Sequence, residues 1–347
     1  MKYSILTLLA LLSLSCKTQV KVAEPTDKEL TEKTTTKSDI EGHIYFLADD
    51  LLKGRETGTP ENKIAAAYLA NTLRSYGVKP NPESGDYYQR MTLEVPARGE
   101  RPAQSFDSQN VIGVVEGTDP ELKNQYIIYS AHYDHVGVRK IPNQTDSIFN
   151  GARDNAVGTT TVLAMAKNLA QFPTKRSALF ILFTGEEKGL LGSRYYVENP
   201  VLPLEQMVYC FNSDNGGYND TSIATIVGLE RTSVGQHIKD ASAAFGLEAI
   251  DDPAGEQGLF DRSDNVSFAK KGIPAPTFSM GFRSFDGDVT KYYHQPIDEA
   301  NSLDYDYLTK FFRAYVLSGR KIGNDPKTPV WTAGDKYEAV SKELYKN

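Results

Sequence analysis

Cysteine is almost missing from this chain: Cys16 and Cys210 are the only two in 347 residues. No disulfide can be drawn inside a folded domain, and a metal site built on thiolates has no ligands to use. Positive charge is also short, with 38 Lys and Arg against 45 Asp and Glu and a formal net charge of −7. Nucleic acids and other polyanions select basic surfaces, so they are not expected as partners. Long apolar runs are absent too. The one early stretch, Ile5 to Leu14, is too short to span a bilayer as a helix. No internal repeat and no linker interrupts residues 39 to 322. What remains is ordinary globular composition, 40% hydrophobic and 24% charged, enough to bury a sizeable core.

The N-terminus carries an address. Lys2 precedes the apolar run, and small Ser15 leads directly into Cys16. A basic start, a short apolar stretch and a small residue describe a secretory signal. The position of Cys16 resembles a bacterial lipoprotein signal, in which that cysteine is lipidated and becomes the new N-terminus. Ser13 stands where leucine is commonest in such signals, and a plain secretory signal is the simpler alternative. The expectation is an exported lipoprotein of the cell envelope, at the outer membrane or facing the periplasm, with residues 1–16 as signal. Residues 17–38 are rich in Lys, Thr and Glu, too polar to offset their ordering entropy, and read as a flexible tether.

From Asp39 the periodicity changes. Ile40, Ile44, Leu47 and Leu51 recur at helical spacing, and Pro60 opens a second helix that Gly77 closes. Short β-branched or aromatic runs follow at 110–115, 126–130, 177–184, 207–212, 223–227 and 275–279. Helical patterns lie between and after them, at about 155–170, 189–197, 233–245, 264–271 and 305–321. Strands alternating with helices imply an α/β fold, a largely parallel sheet between helical layers. The domain is drawn over 39–323, with 324–347 as a polar tail.

Open α/β sheets place their ligand sites at the carboxyl ends of strands. Polar clusters stand at such positions here. His132-Tyr133-Asp134-His135 follows one strand, Asp154-Asn155 precedes a helix, Glu186-Glu187 closes the most apolar strand, and Asp214 closes the next. Tyr293-His294 lies in a late loop. Taken singly these have plain readings: Asp154 as a helix N-cap, Asp214 as a turn residue, the two glutamates as a solvated pair. Taken together they offer imidazole and carboxylate ligands without sulfur, which suits catalytic zinc. Five such residues exceed the three around one open zinc, and two ions sharing a bridging carboxylate would use all five. The same ligands also accept manganese or cobalt.

The ordered set resembles the co-catalytic zinc peptidases of metallopeptidase family twenty-eight, which includes bacterial leucyl-type aminopeptidases and glutamate carboxypeptidase relatives. The resemblance covers nearly all of residues 40–322. It implies a three-layer sandwich around a mixed, mostly parallel sheet of about eight strands. His132 and Asp214 would bind one zinc, Glu187 and His294 the other, and Asp154 would bridge them. Glu186 would be the general base, with Asp134 orienting His132 from behind. Asp154-Asn155 falls where the family often has a cis peptide. Tyr293 stands where several members keep a tyrosine that steadies the charged intermediate, an alternative to simple packing. Phe260-Asp261-Arg262-Ser263-Asp264-Asn265 matches a family stretch that usually ends in His rather than Asn265. There Arg262 would position bound substrate, or instead pair with Asp261 or Asp264. The span from Glu94 to Asn110 is too short for the inserted domain of some relatives.

The implied activity is hydrolysis of peptide bonds at a chain end, with the amino end favoured. A carboxypeptidase or dipeptidase of the same family is the alternative. Arg153, Lys188, Arg262 and Arg283 are the basic residues near the motifs that could serve it. A glutaminyl cyclase shares the fold but works with one zinc and does not need the five-ligand set.

Overall fold

The computed structural model describes residues 24–97 and 102–346. Three helices open the chain: α1 (Asp27–Thr34), α2 (Lys37–Leu47) and α3 (Pro60–Ser75). Each starts on a threonine whose hydroxyl accepts a main-chain N–H, namely Thr26, Thr36 and Thr59, which satisfies one of the free donors at a helix start. Strands β1 (Lys79–Pro80), β2 (Tyr88–Val95), β3 (Gln104–Val115) and β4 (Tyr126–His132) follow, then the two-residue strands β5 (Gly137–Val138) and β6 (Ile148–Phe149). Beyond them come α4 (Gly158–Gln171), β7 (Ser177–Phe183), α5 (Leu191–Glu198), β8 (Met207–Ser213) and β9 (Ile223–Val227). The last third holds α6 (Gly235–Ala243), β10 (Glu248–Asp251), α7 (Asn265–Ala269), β11 (Thr277–Met280), α8 (Gly287–Thr290), α9 (Tyr305–Asn324) and α10 (Glu338–Leu344).

Nine strands form one sheet in the order β1-β3-β7-β4-β8-β11-β9-β10, with β2 paired to β3 beside β1. The middle, β7-β4-β8-β11, is parallel; β3 and β9 run against it on either side. The expected mixed, mostly parallel sheet is therefore present, with nine strands where about eight were anticipated. The central strands bury both faces, and their side chains alternate between the two layers. On β7, Ala178, Phe180 and Leu182 join the core under α2, α4 and α9. Leu179, Ile181 and Phe183 join the opposite core, shared with α5 and α7. That two-sided burial is why the strand reads as continuous apolar sequence.

Two boundaries shift. Part of the segment read as a tether is structured: α1 has a capping box between Thr26 and Glu29 and packs on α9. Arg320 holds Asp27, and Asn168 donates to Leu30 O and Thr34 Oγ1. Threonines buried on one side, not large apolar residues, make this contact, so hydropathy alone missed it. The expected polar tail is also part of the domain. Trp331 is buried, donates from Nε1 to Gly272 O at 2.9 Å, and packs with Phe260 and Tyr337. Cys16 and the signal stretch lie outside the described residues. Among the described residues no helix is long and apolar enough to cross a membrane.

Candidate metal centre

The parallel strands end side by side, and their carboxyl ends deliver the site. β4 ends on His132, the turn after β7 carries Glu186 and Glu187, and Asp214 follows β8. Asp154 sits on the irregular 152–157 segment before α4, where the Asp154–Asn155 peptide is cis. His294 arrives from the loop after α8 with φ +52°, a left-handed conformation that costs a non-glycine about 1–3 kcal/mol and must be held by its surroundings. Here Gln295 N donates to Tyr292 O, and Asp298 N to Gln295 O.

Asp154 faces two groups of donors at once. Its Oδ1 lies 3.3 Å from His132 Nε2, which is also 3.2 Å from Asp214 Oδ1. Its Oδ2 lies 3.0 Å from His294 Nε2, which is 3.2 Å from Glu187 Oε2. Two sets of potential ligand atoms result, His132-Asp154-Asp214 and His135-Asp154-Glu187-His294, joined through one carboxylate. All five residues expected as ligands are brought together. The donors are the nitrogen and oxygen kinds that zinc accepts.

The electrostatics point the same way. Burial pushes the His132 imidazole toward neutrality, yet the carboxylates of Asp214 and Glu186 outweigh it and raise its pKa well above the usual value. Burial also opposes charge on His294, and the hydrogen bonds to Asp154 and Glu187 overcome it, lifting its pKa to about 11. Both shifts share one cause, the carboxylates gathered around the rings. Glu187 is pulled down to about 2 against burial and the repulsion of Asp154, by His135 and His294. Glu186 goes the opposite way, raised well above the carboxylate range chiefly by burial, with Asp214 and Asp264 adding to it.

Asp134 does something other than expected. The His132 ring reaches the Asp134 main-chain carbonyl at 3.1 Å, while the carboxylate is 3.8 Å away. That carboxylate instead accepts from Thr57 Oγ1 at 2.8 Å and from Glu186 N at 3.2 Å. It ties the end of β4 to the turn that presents Glu186.

Tyr293 lines the same cleft as His132, Asp154, Glu186, Asp214 and His294. Its ring stacks on His294, centroids 4.1 Å apart. Gly216 leaves the room for it, since a Cβ there would sit 2.8 Å from Tyr293 Cδ2. Burial and the carboxylates of Asp154 and Glu187 raise the phenol pKa, so it stays a proton donor. Arg262 also lines the cleft, and no carboxylate among the described residues pairs with it. The alternative partners are occupied or enclosed: Asp261 is held by Lys336 and Tyr337, and Asp264 is fully buried. Neither lines the cleft. Asn265 is buried and its side-chain amide donates to Phe260 O and Ala275 O.

Sequence reasoning assigned no role to Arg55 or His135. Arg55 is fully buried and donates to the carbonyls of Leu47, Tyr133, Asn150 and Gly151, clamping the segments that carry His132 and Asp154. Nothing in its local sequence signals this, because its partners are main-chain atoms from distant loops. His135 stood in plain view, three residues after His132.

Residues 110–317 match the description Peptidase family M28, well over half of the chain. The chain belongs to peptidase family M28. Aminopeptidase YwaD of Bacillus subtilis (strain 168) is 29% identical to this family M28 chain over 231 residues, which are 64% of this chain and 47% of the relative. The chain spans about half, or less, of the length of the curated relatives it matches. Its fold is similar to that of an aminopeptidase from Aneurinibacillus sp. strain AM-1, with TM-score 0.64, 17% identity, and coverage of 89% of this chain and 98% of the other. It is equally similar to a Porphyromonas gingivalis glutaminyl cyclase, with TM-score 0.66, 18% identity, and coverage of 83% and 99%.

Proposed function

We propose that this chain is a zinc aminopeptidase with two co-catalytic ions, His132 and Asp214 holding one, Glu187 and His294 the other, and Asp154 both. The observation that carries this reading is the pair of Asp154 oxygens, each 3.0–3.3 Å from a different histidine. Membership of a peptidase family and the relative named an aminopeptidase support it further. Bound zinc supplies Lewis-acid polarisation of the scissile carbonyl and of a water. Glu186 accepts the proton of the attacking water and delivers it to the leaving amine nitrogen. Tyr293 donates its O–H to the carbonyl oxygen as negative charge gathers there.

The choice of end rests on charge. Gripping a terminal carboxylate calls for converging cations. Arg153, the one beside a ligand, is buried against Asp298 and Ser302 and stacked on Tyr292. Lys188 is tied to Glu56 and Arg283 to Asp220. Only Arg262 remains in the cleft, against the acidic Glu186 and Asp214 that suit an α-ammonium group. Arg262 is also what favours a second reading, a dipeptidase whose substrate carboxylate it would meet.

Leucyl and alanyl amides and longer peptides with free N-termini should be hydrolysed, and N-acetylation should abolish cleavage. Acetylated peptides trimmed from the C-terminus at equal speed would overturn the aminopeptidase reading. Hydrolysis confined to dipeptides would favour the second.

A further inference from the structure

His135 is buried on the loop after β4, with 1% exposure. Its Nδ1 lies 2.7 Å from Glu187 Oε1 and 3.9 Å from Asp154 Oδ2, and its ring meets His294 edge-on at 5.4 Å between centroids. Glu187 therefore uses its oxygens differently. Oε2 faces His294 and Oε1 faces His135.

We propose that His135 is a positioning residue: its imidazole holds Glu187 through Oε1, leaving Oε2 alone for the metal. The idea rests on the two-ion reading above. Donors that would share an ion stand 3.0–3.3 Å apart. The His135–Glu187 separation is shorter, and falls in the range of a charge-assisted N–H···O⁻ bond. The two groups approach closely without meeting hydrogen-bond geometry, and among the described residues neither ring nitrogen nor Oε1 has a hydrogen-bond partner; leaving such groups buried and unpaired is costly. Direct ligation by His135 would give this ion four protein ligands, a closed shell, whereas a catalytic zinc keeps a position open. The fold makes room for the ring at Gly151, which has φ +59°. A Cβ there would lie 2.6 Å from the His135 ring and 2.1 Å from Asp154 O.

The test compares zinc affinities of the wild type, His135→Phe and His135→Asn by competition with a chromophoric chelator. Cobalt absorption spectra of the three proteins accompany it. Phenylalanine removes the donor. Asparagine retains an amide N–H near the place of Nδ1. His135→Phe should weaken one of the two sites about 10- to 100-fold, the usual effect of losing a partner behind a ligand, and leave the other unchanged. His135→Asn should recover most of that affinity with cobalt bands where the wild type has them. Unchanged affinities in His135→Phe would overturn the proposal. So would an Asn variant as weak as the Phe variant with displaced bands, which would make His135 a ligand. A wild-type protein with one site in place of two contradicts the two-ion reading itself, and is seen separately in the wild-type titration.

Discussion

Glu187 lies 3.2 Å from His294 and 2.7 Å from His135, whereas its neighbour Glu186 makes no ion pair with an imidazole among the described residues. The turn after β7 points one side chain at the donors beside Asp154 and leaves the other in the cleft with Asp214 and Tyr293. Substitution should separate them. Glu186→Gln should keep fold and metal while turnover on leucine amide falls at least about a hundredfold, the scale of losing a general base. Glu187→Gln should instead weaken one metal site. Metal content and rate, measured on both variants, check this. Equal metal loss in both, with the rate of Glu186→Gln retained, would reverse the roles. At this scale the gathering of the candidate ligands was legible because their residue types and places at strand ends are chemically distinctive. Asp134 was only half legible, since a sequence does not reveal that a carbonyl rather than a carboxylate faces His132. Arg55 was not legible at all.

The elements read best where burial is two-sided. β7 and β9 match their apolar runs closely, because strands buried along their whole length have no polar face to blur the pattern. The pairing of β2 with β3 went unread, although Gln89, Met91 and Leu93 alternate inward between outward Arg90, Thr92 and Glu94. Its signal is period two at modest hydrophobicity, easily lost among polar residues such as those opening β3. The start of α4 shows a different failure. The pattern predicted helix from Asn155, but Asp154 and Asn155 depart from helical geometry and the regular helix begins at Gly158. Site geometry overrides local preference there. Arg153 N and Asp154 N both donate to the buried Asp298 carboxylate. That fixes Asp154 outside the helix it would otherwise cap.

At the scale of the molecule, one sheet separates the two cores, and the candidate metal centre lies at the carboxyl ends of its parallel strands. The helix α1 joins residues 27–34 to that domain, which shortens any tether to Cys16. We propose that the chain is anchored by a lipid at Cys16, on the strength of the basic start and the apolar run that lead to it. Cys16→Ala should then move the protein from the membrane to the soluble fraction. A wild type already soluble with a free thiol at Cys16 would refute the anchor. The catalytic account stands or falls on the shared Asp154. Metal analysis of the purified protein, run alongside leucine amide hydrolysis, tests it most directly. About two zinc ions per chain are predicted from the two donor groups, with activity lost on chelation and restored by zinc. One zinc per chain with full activity, or activity indifferent to chelation, would contradict it.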